Sequence, residues 1–148
     1  MENLLIEKSI EINASKEKVW EVLMQDAYMK KWYAAFWESA RAETDWKVGS
    51  KVIFTDDSGH GMIGRIISNE PAALLVVEYD GMLKDGKEDL ESEEALSVKG
   101  GRVIYRLSTE NGKTMLKIES DMTEEYYEMM SQKWDAALKI IKDLSENS

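Results

Sequence analysis

The sequence contains no cysteine, one proline and one histidine among its 148 residues. Without thiols the chain has no disulfide, no thiolate-bound metal or iron–sulfur cluster and no cysteine nucleophile. The single histidine, His60, excludes a multi-histidine metal site. Because His60 stands between two glycines, we expect an exposed loop residue, with a proton shuttle or a ligand contact as the alternative. We therefore expect no metal site and no cofactor.

Long apolar runs and positive charge are also scarce. No run approaches the ~20 residues of a membrane-spanning helix, and the first residues lack the pattern of a secretory signal, so we expect a cytoplasmic protein. The chain carries 19 Lys and Arg against 29 Asp and Glu, a net charge of −10. Such a surface repels phosphates and anionic lipids, which predicts no nucleic-acid partner and no membrane insertion.

The composition is that of an ordinary globular protein, with 43% apolar and 32% charged residues. A chain of this size buries roughly 70% of its unfolded surface in a single core. The sequence shows no internal repeat, low-complexity stretch or linker. These observations predict one domain over residues 1–148.

The beginning of the chain predicts a strand and two short helices. A strand with one buried face is indicated by alternating apolar residues at Leu4, Ile6, Ile10 and Ile12. Ser15 is suited to cap the next helix, because its hydroxyl can accept a hydrogen bond from a free backbone N–H. The apolar stripe of that helix consists of Val19, Trp20, Leu23 and Met24. A second short helix is expected from about Asp26 to Tyr33.

The middle of the chain predicts strands, and its end predicts a helix. Period-two apolar faces recur at Val52/Phe54, Met62/Ile66, Leu75/Val77/Tyr79, Val103/Tyr105/Leu107 and Leu116/Ile118. Short turns join most of these strands, Asn111-Gly112 giving the clearest hairpin signal, so neighbours are antiparallel. Residues 81–101 form the longest expected loop, with a helical turn or a strand extension near residues 95–98 as alternatives. After Thr123 a helical stripe runs through Tyr127, Met130, Trp134, Ala137, Leu138, Ile141 and Leu144.

These elements predict an α+β fold. Six or seven antiparallel strands form a sheet that curves around the long C-terminal helix, and the two short helices follow the first strand. A curved sheet closing on a single helix leaves a hollow between the two layers, and small molecules bind in such hollows.

Several stretches are typical of a known family. They are Ile10-Glu11-Ile12-Asn13-Ala14-Ser15, Lys31-Trp32-Tyr33, Val48-Gly49-Ser50, Gly64-Arg65-Ile66, Gly112-Lys113-Thr114 and Trp134. In their order and spacing the chain resembles the START-like, SRPBCC superfamily of helix-grip, birch-pollen-allergen-like domains. Within it the chain resembles the branch of activator of heat-shock-protein-90 ATPase homologues. The resemblance implies a sheet gripping the C-terminal helix, and a chaperone as one possible partner.

Three other patterns in the sequence resemble functional sites. Residues 59–64 match G-x-G-x-x-G, but the β-branched residues that follow predict a strand, whereas a dinucleotide site requires a helix there. Adjacent carboxylates such as Asp56-Asp57 point to opposite faces of a strand and form no acid–base pair. Arg65, Arg102 and Arg106 are expected to face solvent, with an inward-turned carboxylate anchor as the alternative.

The leading hypothesis is therefore a non-enzymatic domain that binds a small apolar or amphipathic molecule. The alternatives are a co-chaperone-like protein-binding module and a cyclase- or hydrolase-like enzyme. The sequence shows no clear acid–base pair, so we predict no catalytic residue. The aromatic and methionine content indicates ordinary core packing or, in part, a cavity lining. The candidate lining residues are Trp32, Tyr33, Phe36, Phe54, Met62, Ile66, Val77, Tyr79, Tyr105, Leu116, Tyr127, Met130 and Trp134.

Overall fold

A computed structural model of the chain describes residues 3–147. In chain order its elements are β1 (Asn3–Ile12), α1 (Lys16–Met24), α2 (Asp26–Tyr33), β2 (Arg41–Glu43), β3 (Lys51–Thr55), β4 (Gly61–Glu70), β5 (Leu74–Lys84), β6 (Lys87–Asp89), α3 (Glu93–Val98), β7 (Arg102–Glu110), β8 (Lys113–Thr123) and α4 (Glu124–Asn147). The predicted order is confirmed: a strand, two short helices, a run of strands and a long final helix.

The strands form one antiparallel sheet in the order β1-β8-β7-β5-β4-β3-β2, with β6 paired to β5. Eight strands lie within residues 3–147, where the sequence predicted six or seven. The difference is the three-residue strands β2 and β6, which are too short to show a period. The first strand pairs with the last, from Asn3 opposite Thr123 to Ile12 opposite Thr114, so the two ends of the chain lie together.

Local signals placed the boundaries of several elements. The Ser15 hydroxyl accepts a hydrogen bond from the Lys18 backbone N–H at 3.1 Å, as expected of a helix cap. Asn111 and Gly112 both have positive φ, 53° and 78°, which is the conformation of a tight type I′ hairpin turn. Both predictions from the sequence are confirmed.

Residues 81–101 contain more regular structure than a loop. Strand β5 continues to Lys84, a turn at Asp85-Gly86 leads into β6, and α3 covers the helical turn that was one of the alternatives. The Ser92 hydroxyl caps α3 by accepting from the Ala95 N–H at 3.1 Å, and it donates to the Asp89 carboxylate at 2.6 Å. These hydrogen bonds connect β6 to α3.

The core lies between the inner face of the sheet and the helices α1, α2 and α4. Inner positions of β1 alternate as predicted, since Ile6 and Ile12 are fully buried while the residues between them reach solvent. From α4 the core receives Trp134, Ala137, Leu138 and Ile141. No helix within residues 3–147 is both long and apolar enough to cross a membrane.

The outer face of the sheet is covered by ion pairs. Arg65 and Arg102 both contact Glu78 at 3.0 Å, and Arg106 contacts Glu119 at 3.1 Å. All three arginines therefore face solvent, and the alternative of an inward carboxylate anchor is wrong. An inward guanidinium would lie among apolar side chains, where an unpaired charge is costly.

The C-terminal half of α4 ties down the edge strand β1. Lys142 donates to the Glu11 carbonyl at 3.1 Å, Glu146 accepts from the Asn13 N–H at 2.8 Å, and Asp135 pairs with Lys8 at 2.8 Å. A free strand edge is a template for unwanted pairing. These contacts occupy part of that edge and fix the direction of the helix across the sheet.

A buried hydrogen bond joins β8 to the segment that leads into α1. The Thr114 hydroxyl donates to the Ala14 carbonyl at 2.7 Å, and Thr114 is 1% exposed. We expect Thr114→Val to lower the free energy of unfolding by about 1–2 kcal/mol, because the carbonyl loses its partner. Urea unfolding followed by circular dichroism measures the change.

Thr109→Val is the matched control, since Thr109 lies directly opposite Thr114 in the β7–β8 pair and is exposed. Its effect should stay within about 0.5 kcal/mol. Equal midpoints for the two variants would contradict a role for the buried hydrogen bond.

Candidate functional site

Aromatic side chains from four elements meet beneath α4. The ring of Trp134 lies 4.9 Å from Phe36, 5.9 Å from Tyr105 and 6.4 Å from Trp32, measured between ring centroids. Trp32 is fixed in turn, because its indole N–H donates to the Val22 carbonyl at 3.0 Å. Edge-on packing of this kind adds stability beyond the area that it buries.

Next to this cluster lies a small enclosed space between the helices α1 and α2 and the sheet. We refer to it as the inner hollow. Its lining consists of Leu23, Met29, Trp32, Tyr33, Trp46, Phe54, Leu75, Val77 and Tyr105. Its volume is about 10 Å³, room for about one water molecule. The interior is therefore closed in this conformation, and its enclosed space lies under α2 and not directly under α4.

Three tyrosines, which we call the tyrosine cluster, lie at or beside the inner hollow: Tyr33 and Tyr105 line it, and Tyr79 packs next to it against Phe54. The ring of Phe54 connects two of them, with its centroid 6.5 Å from Tyr33 and 6.2 Å from Tyr79. No hydrogen bond joins the three hydroxyls to another residue within the described range 3–147, and none of their oxygens is among the fully buried atoms without a partner, so water reaches them. The cluster thus presents donors that a ligand acceptor can take in place of water.

The three phenols share one electrostatic environment. Burial raises the pKa of Tyr79 to about 12, and the nearby Asp121 carboxylate contributes to the shift. Burial also raises the pKa of Tyr33, with a contribution from Tyr79, and the pKa of Tyr105, with contributions from both other tyrosines. At neutral pH all three are uncharged, and each hydroxyl is available as a donor.

One buried polar atom without a partner lies next to Trp46, a lining residue of the inner hollow. Asn69 donates from its amide nitrogen to the Trp46 carbonyl at 2.8 Å, which supports Trp46 in a left-handed conformation with φ of 62°. The amide oxygen of Asn69 is buried and has no partner among residues 3–147. A buried acceptor without a partner costs about 1–3 kcal/mol, so this atom is a position for a water or a ligand donor.

The first part of α4 is held loosely. From Glu124 to Lys133 no residue is buried, and Tyr127 and Met130 are only half-buried against the core. Lys133 connects this part to the segment of residues 34–40, where its ammonium contacts the Phe36 carbonyl and lies 4.9 Å from the centroid of the Trp37 ring. We call this pair of contacts the Lys133 latch.

The structure places the candidate lining residues in three groups. The inner hollow is lined by Trp32, Tyr33, Phe54, Val77 and Tyr105. The surrounding core contains Phe36, Ile66, Leu116 and Trp134, with Tyr79, Tyr127 and Met130 packed partly buried against it. Met62 lies on β4 opposite Phe54 and belongs neither to the lining of the inner hollow nor to the surrounding core.

Four lining residues were absent from the sequence-based set: Leu23, Met29, Trp46 and Leu75. Leu23 and Leu75 stand in apolar stripes that the sequence showed, so a signal for them existed. Met29 precedes Trp32 by one helical turn, which places the two on one face of α2. Trp46 belongs to no periodic pattern, and its position depends on the contact with Asn69.

Other regions of the molecule offer weaker sites. An open groove of about 930 Å³ crosses the outer face of the sheet, but charged side chains in its lining already form ion pairs. Glu7 pairs with Lys117 inside the groove, and Arg106 pairs with the neighbouring Glu119. His60 is exposed, as expected, and contacts Asp85 at 3.4 Å. Over the described residues no cluster of three or more potential metal ligands exists. Among these places the inner hollow is the one with an uncharged, mostly apolar lining that includes two phenol rings, those of Tyr33 and Tyr105.

Comparison with known proteins assigns the family. The model of a family described as Activator of Hsp90 ATPase homolog 1-like protein matches residues 13–146. The chain belongs to this family. The resemblance inferred from the sequence is thereby confirmed, together with the helix-grip fold that it implied.

Solved structures with the same fold have low sequence identity to this family member. The Aha1 dimer from Colwellia psychrerythraea is 22% identical with a TM-score of 0.74, covering 97% of both chains. MLL2253 from Mesorhizobium loti is 16% identical with a TM-score of 0.72, covering 97% of this chain and 96% of that one. CalU16 from Micromonospora echinospora is 19% identical with a TM-score of 0.63, covering 98% and 76%. No curated protein matches the sequence.

The tyrosine cluster predicts a stability loss at high pH. The pKa of Tyr79 is near 10 in the unfolded chain and about 12 in the fold. A group with a raised pKa contributes stability that is fully present below its unfolded pKa and is lost as pH rises through its folded pKa. The free energy of unfolding should therefore fall between about pH 10 and pH 12, and fall less steeply in Tyr79→Phe.

Urea unfolding at several alkaline pH values, with tyrosinate absorbance as a second readout, measures this dependence. Tyr126→Phe is the control, because Tyr126 is 48% exposed. If the Tyr79 and Tyr126 variants lost stability with the same pH dependence as the parent, the assignment of buried phenols would be wrong.

Proposed function

We propose that this protein binds a small apolar or amphipathic molecule in the space that the inner hollow marks, without catalysing a reaction on it. The tyrosine cluster carries this proposal. Three hydroxyls without protein partners stand within an aromatic shell, which is the usual composition of a ligand pocket: mostly apolar surface with a few polar groups that orient the ligand. The titratable side chains in the lining, Tyr33 and Tyr105, are neutral phenols, which favours binding over acid–base chemistry.

The inner hollow is much smaller than a small-molecule pocket, so binding requires it to open. An empty, dry cavity of ~300 Å³, the lower limit for a small-molecule pocket, would cost on the order of 7 kcal/mol at ~24 cal/mol per Å³. That cost is comparable with the whole stability of a small domain. A site of this kind therefore closes when it is empty and opens when a ligand replaces the lost contacts.

The loosely held part of α4 is where opening costs least. The helix has no buried side chain before Trp134, whereas Ala137, Leu138 and Ile141 beyond it are buried. Moving the first part outward breaks few apolar contacts, and the segment of residues 34–40 is the other side of the gap. The Lys133 latch is the main polar connection across it.

Loss of the Lys133 latch should strengthen ligand binding, whereas loss of a direct contact to the ligand would weaken it. Lys133→Ala removes a cation–π contact and a hydrogen bond, together about 1 kcal/mol of the closed state. The open population then rises roughly fivefold, and the affinity for an apolar fluorescent probe such as N-phenyl-1-naphthylamine should rise by a similar factor. Fluorescence titration measures the affinity, and thermal unfolding measures the stabilisation by the probe.

Lys139→Ala is the control on the same helix, because Lys139 is exposed and has no ion pair among the described residues. It should leave probe affinity unchanged. A parent protein that showed neither probe binding nor thermal stabilisation would refute the proposed function. Equal affinities for the parent and Lys133→Ala would refute only the opening at α4.

A second function, binding to a chaperone of the heat-shock-protein-90 type, is favoured by the family description and by one surface feature. Tyr126, Met129 and Lys133 recur at helical spacing on one face of α4, and Trp37 adjoins Lys133. Trp37, Tyr126 and Met129 are 42–49% exposed and form what we call the exposed apolar patch. Exposed apolar patches are typical of protein contacts.

If this patch contacts a chaperone, the double variant Trp37→Ser/Met129→Ser should abolish any stimulation of the chaperone's ATPase by this protein. Leu5→Ser is the control, since Leu5 is 45% exposed on β1 outside the patch. ATPase rates measured with a purified chaperone decide the matter. An unchanged rate on addition of the parent protein would exclude this function for that chaperone.

A further inference from the structure

The tyrosine cluster also constrains the chemistry of the ligand, and this inference rests on the proposed function. Each neutral phenol can donate one hydrogen bond, and within residues 3–147 no protein acceptor takes it. Three donors from α2, β5 and β7 are brought into one apolar region, because Tyr79 and Tyr105 lie on the inner face of the sheet and Tyr33 on the helix above it. An acceptor oxygen on a ligand satisfies them in place of water.

The lining contains no positive charge to accompany an anionic ligand. Its residues are apolar or aromatic, with no Lys or Arg among them. The arginines of the sheet are on the opposite face, where they pair with Glu78, Asp80 and Glu119. A carboxylate buried without a cation pays a desolvation cost of several kcal/mol, which hydrogen bonds from neutral donors repay only in part.

The local electrostatic potential acts in the same direction. Burial and the Asp121 carboxylate disfavour the charged form of Tyr79, and the other two phenols are similarly held neutral. An anionic oxygen on a ligand at this place would be disfavoured for the same two reasons, burial in an apolar environment and the nearby Asp121 carboxylate. A neutral carbonyl oxygen accepts the hydrogen bonds without that penalty.

We propose that this site selects a neutral ligand whose apolar, aromatic-sized body carries a carbonyl group, such as a ketone or an ester, and that the tyrosine cluster donates the one or two hydrogen bonds that a carbonyl oxygen accepts. The matching carboxylate is rejected. Selection by charge is thus built into the interior, whereas the size of the ligand is set by how far α4 opens.

Three molecules with one body test this inference at neutral pH: 2-acetonaphthone, which carries a ketone; 2-ethylnaphthalene, which lacks the oxygen; and 2-naphthoate, which carries the charge. The ketone should bind at least tenfold more tightly than the carboxylate and several-fold more tightly than the hydrocarbon. Displacement of N-phenyl-1-naphthylamine measures all three affinities. Equal binding of ketone and hydrocarbon, or preference for the carboxylate, would overturn the inference.

Single Tyr→Phe variants assign the effect to residues. At least one of the variants Tyr33→Phe, Tyr79→Phe and Tyr105→Phe should weaken ketone binding about twofold to tenfold, as expected for one hydrogen bond, while its hydrocarbon binding stays unchanged. Tyr126→Phe is the exposed control. If every variant kept the parent's ketone affinity, the assignment would fail.

The outcomes separate this inference from the proposed function. Binding of the hydrocarbon without preference for the ketone leaves the proposed function intact and removes the inference. Failure of all three molecules and the probe to bind removes both. Should a Tyr→Phe variant not fold, as judged by circular dichroism, the ligand series on the parent protein decides the question alone.

Discussion

The packing of Trp134 sets the distance between α4 and the sheet, and the rest of the architecture depends on it. Its indole is 4% exposed and lies against rings from α2, from the segment of residues 34–40 and from β7. Beyond it, Ala137 is fully buried, and a side chain that small lets the helix approach the sheet closely. Before it, the large rings hold the helix away. Trp134 therefore works as a pivot between a closely packed and a loosely packed half.

The two halves of α4 therefore differ in role: the second half stabilises the fold, and the first half is the part that opens most easily. The half that follows Trp134 supplies the buried apolar residues and the polar contacts to the edge of β1 through Asp135, Lys142 and Glu146. The half that precedes it is joined to the core by half-buried side chains and by the Lys133 latch. Local opening in proteins occurs where buried apolar contacts are few. Opening of that half would therefore leave intact the contacts that protect the sheet edge.

Local chemistry predicted much of the fold. The alternation at Ile6 and Ile12, the cap at Ser15 and the Asn111-Gly112 turn each depend on neighbours in sequence, and each is found as expected. Sequence periodicity did not predict burial where burial depends on the distance between α4 and the sheet. Tyr127 and Ile141 share one helical stripe, yet only Ile141 is buried, because the stripe gives a direction and does not give the separation from the sheet. Trp46 could not be predicted, since Asn69, 23 residues away, supports its unusual backbone.

The hydroxyls of the tyrosine cluster contribute no hydrogen bond to another residue of the described range 3–147. Phenylalanine has nearly the same shape as tyrosine and would fill the same positions without the cost of partly dehydrating a hydroxyl. The same holds for Asn69, whose amide oxygen has no partner although its nitrogen supports Trp46. Packing alone therefore does not account for these polar groups. Local rules that a sequence breaks without structural return tend to mark the functional site, and here Tyr33 and Tyr105 line the interior that a ligand would complete, with Tyr79 and Asn69 beside it.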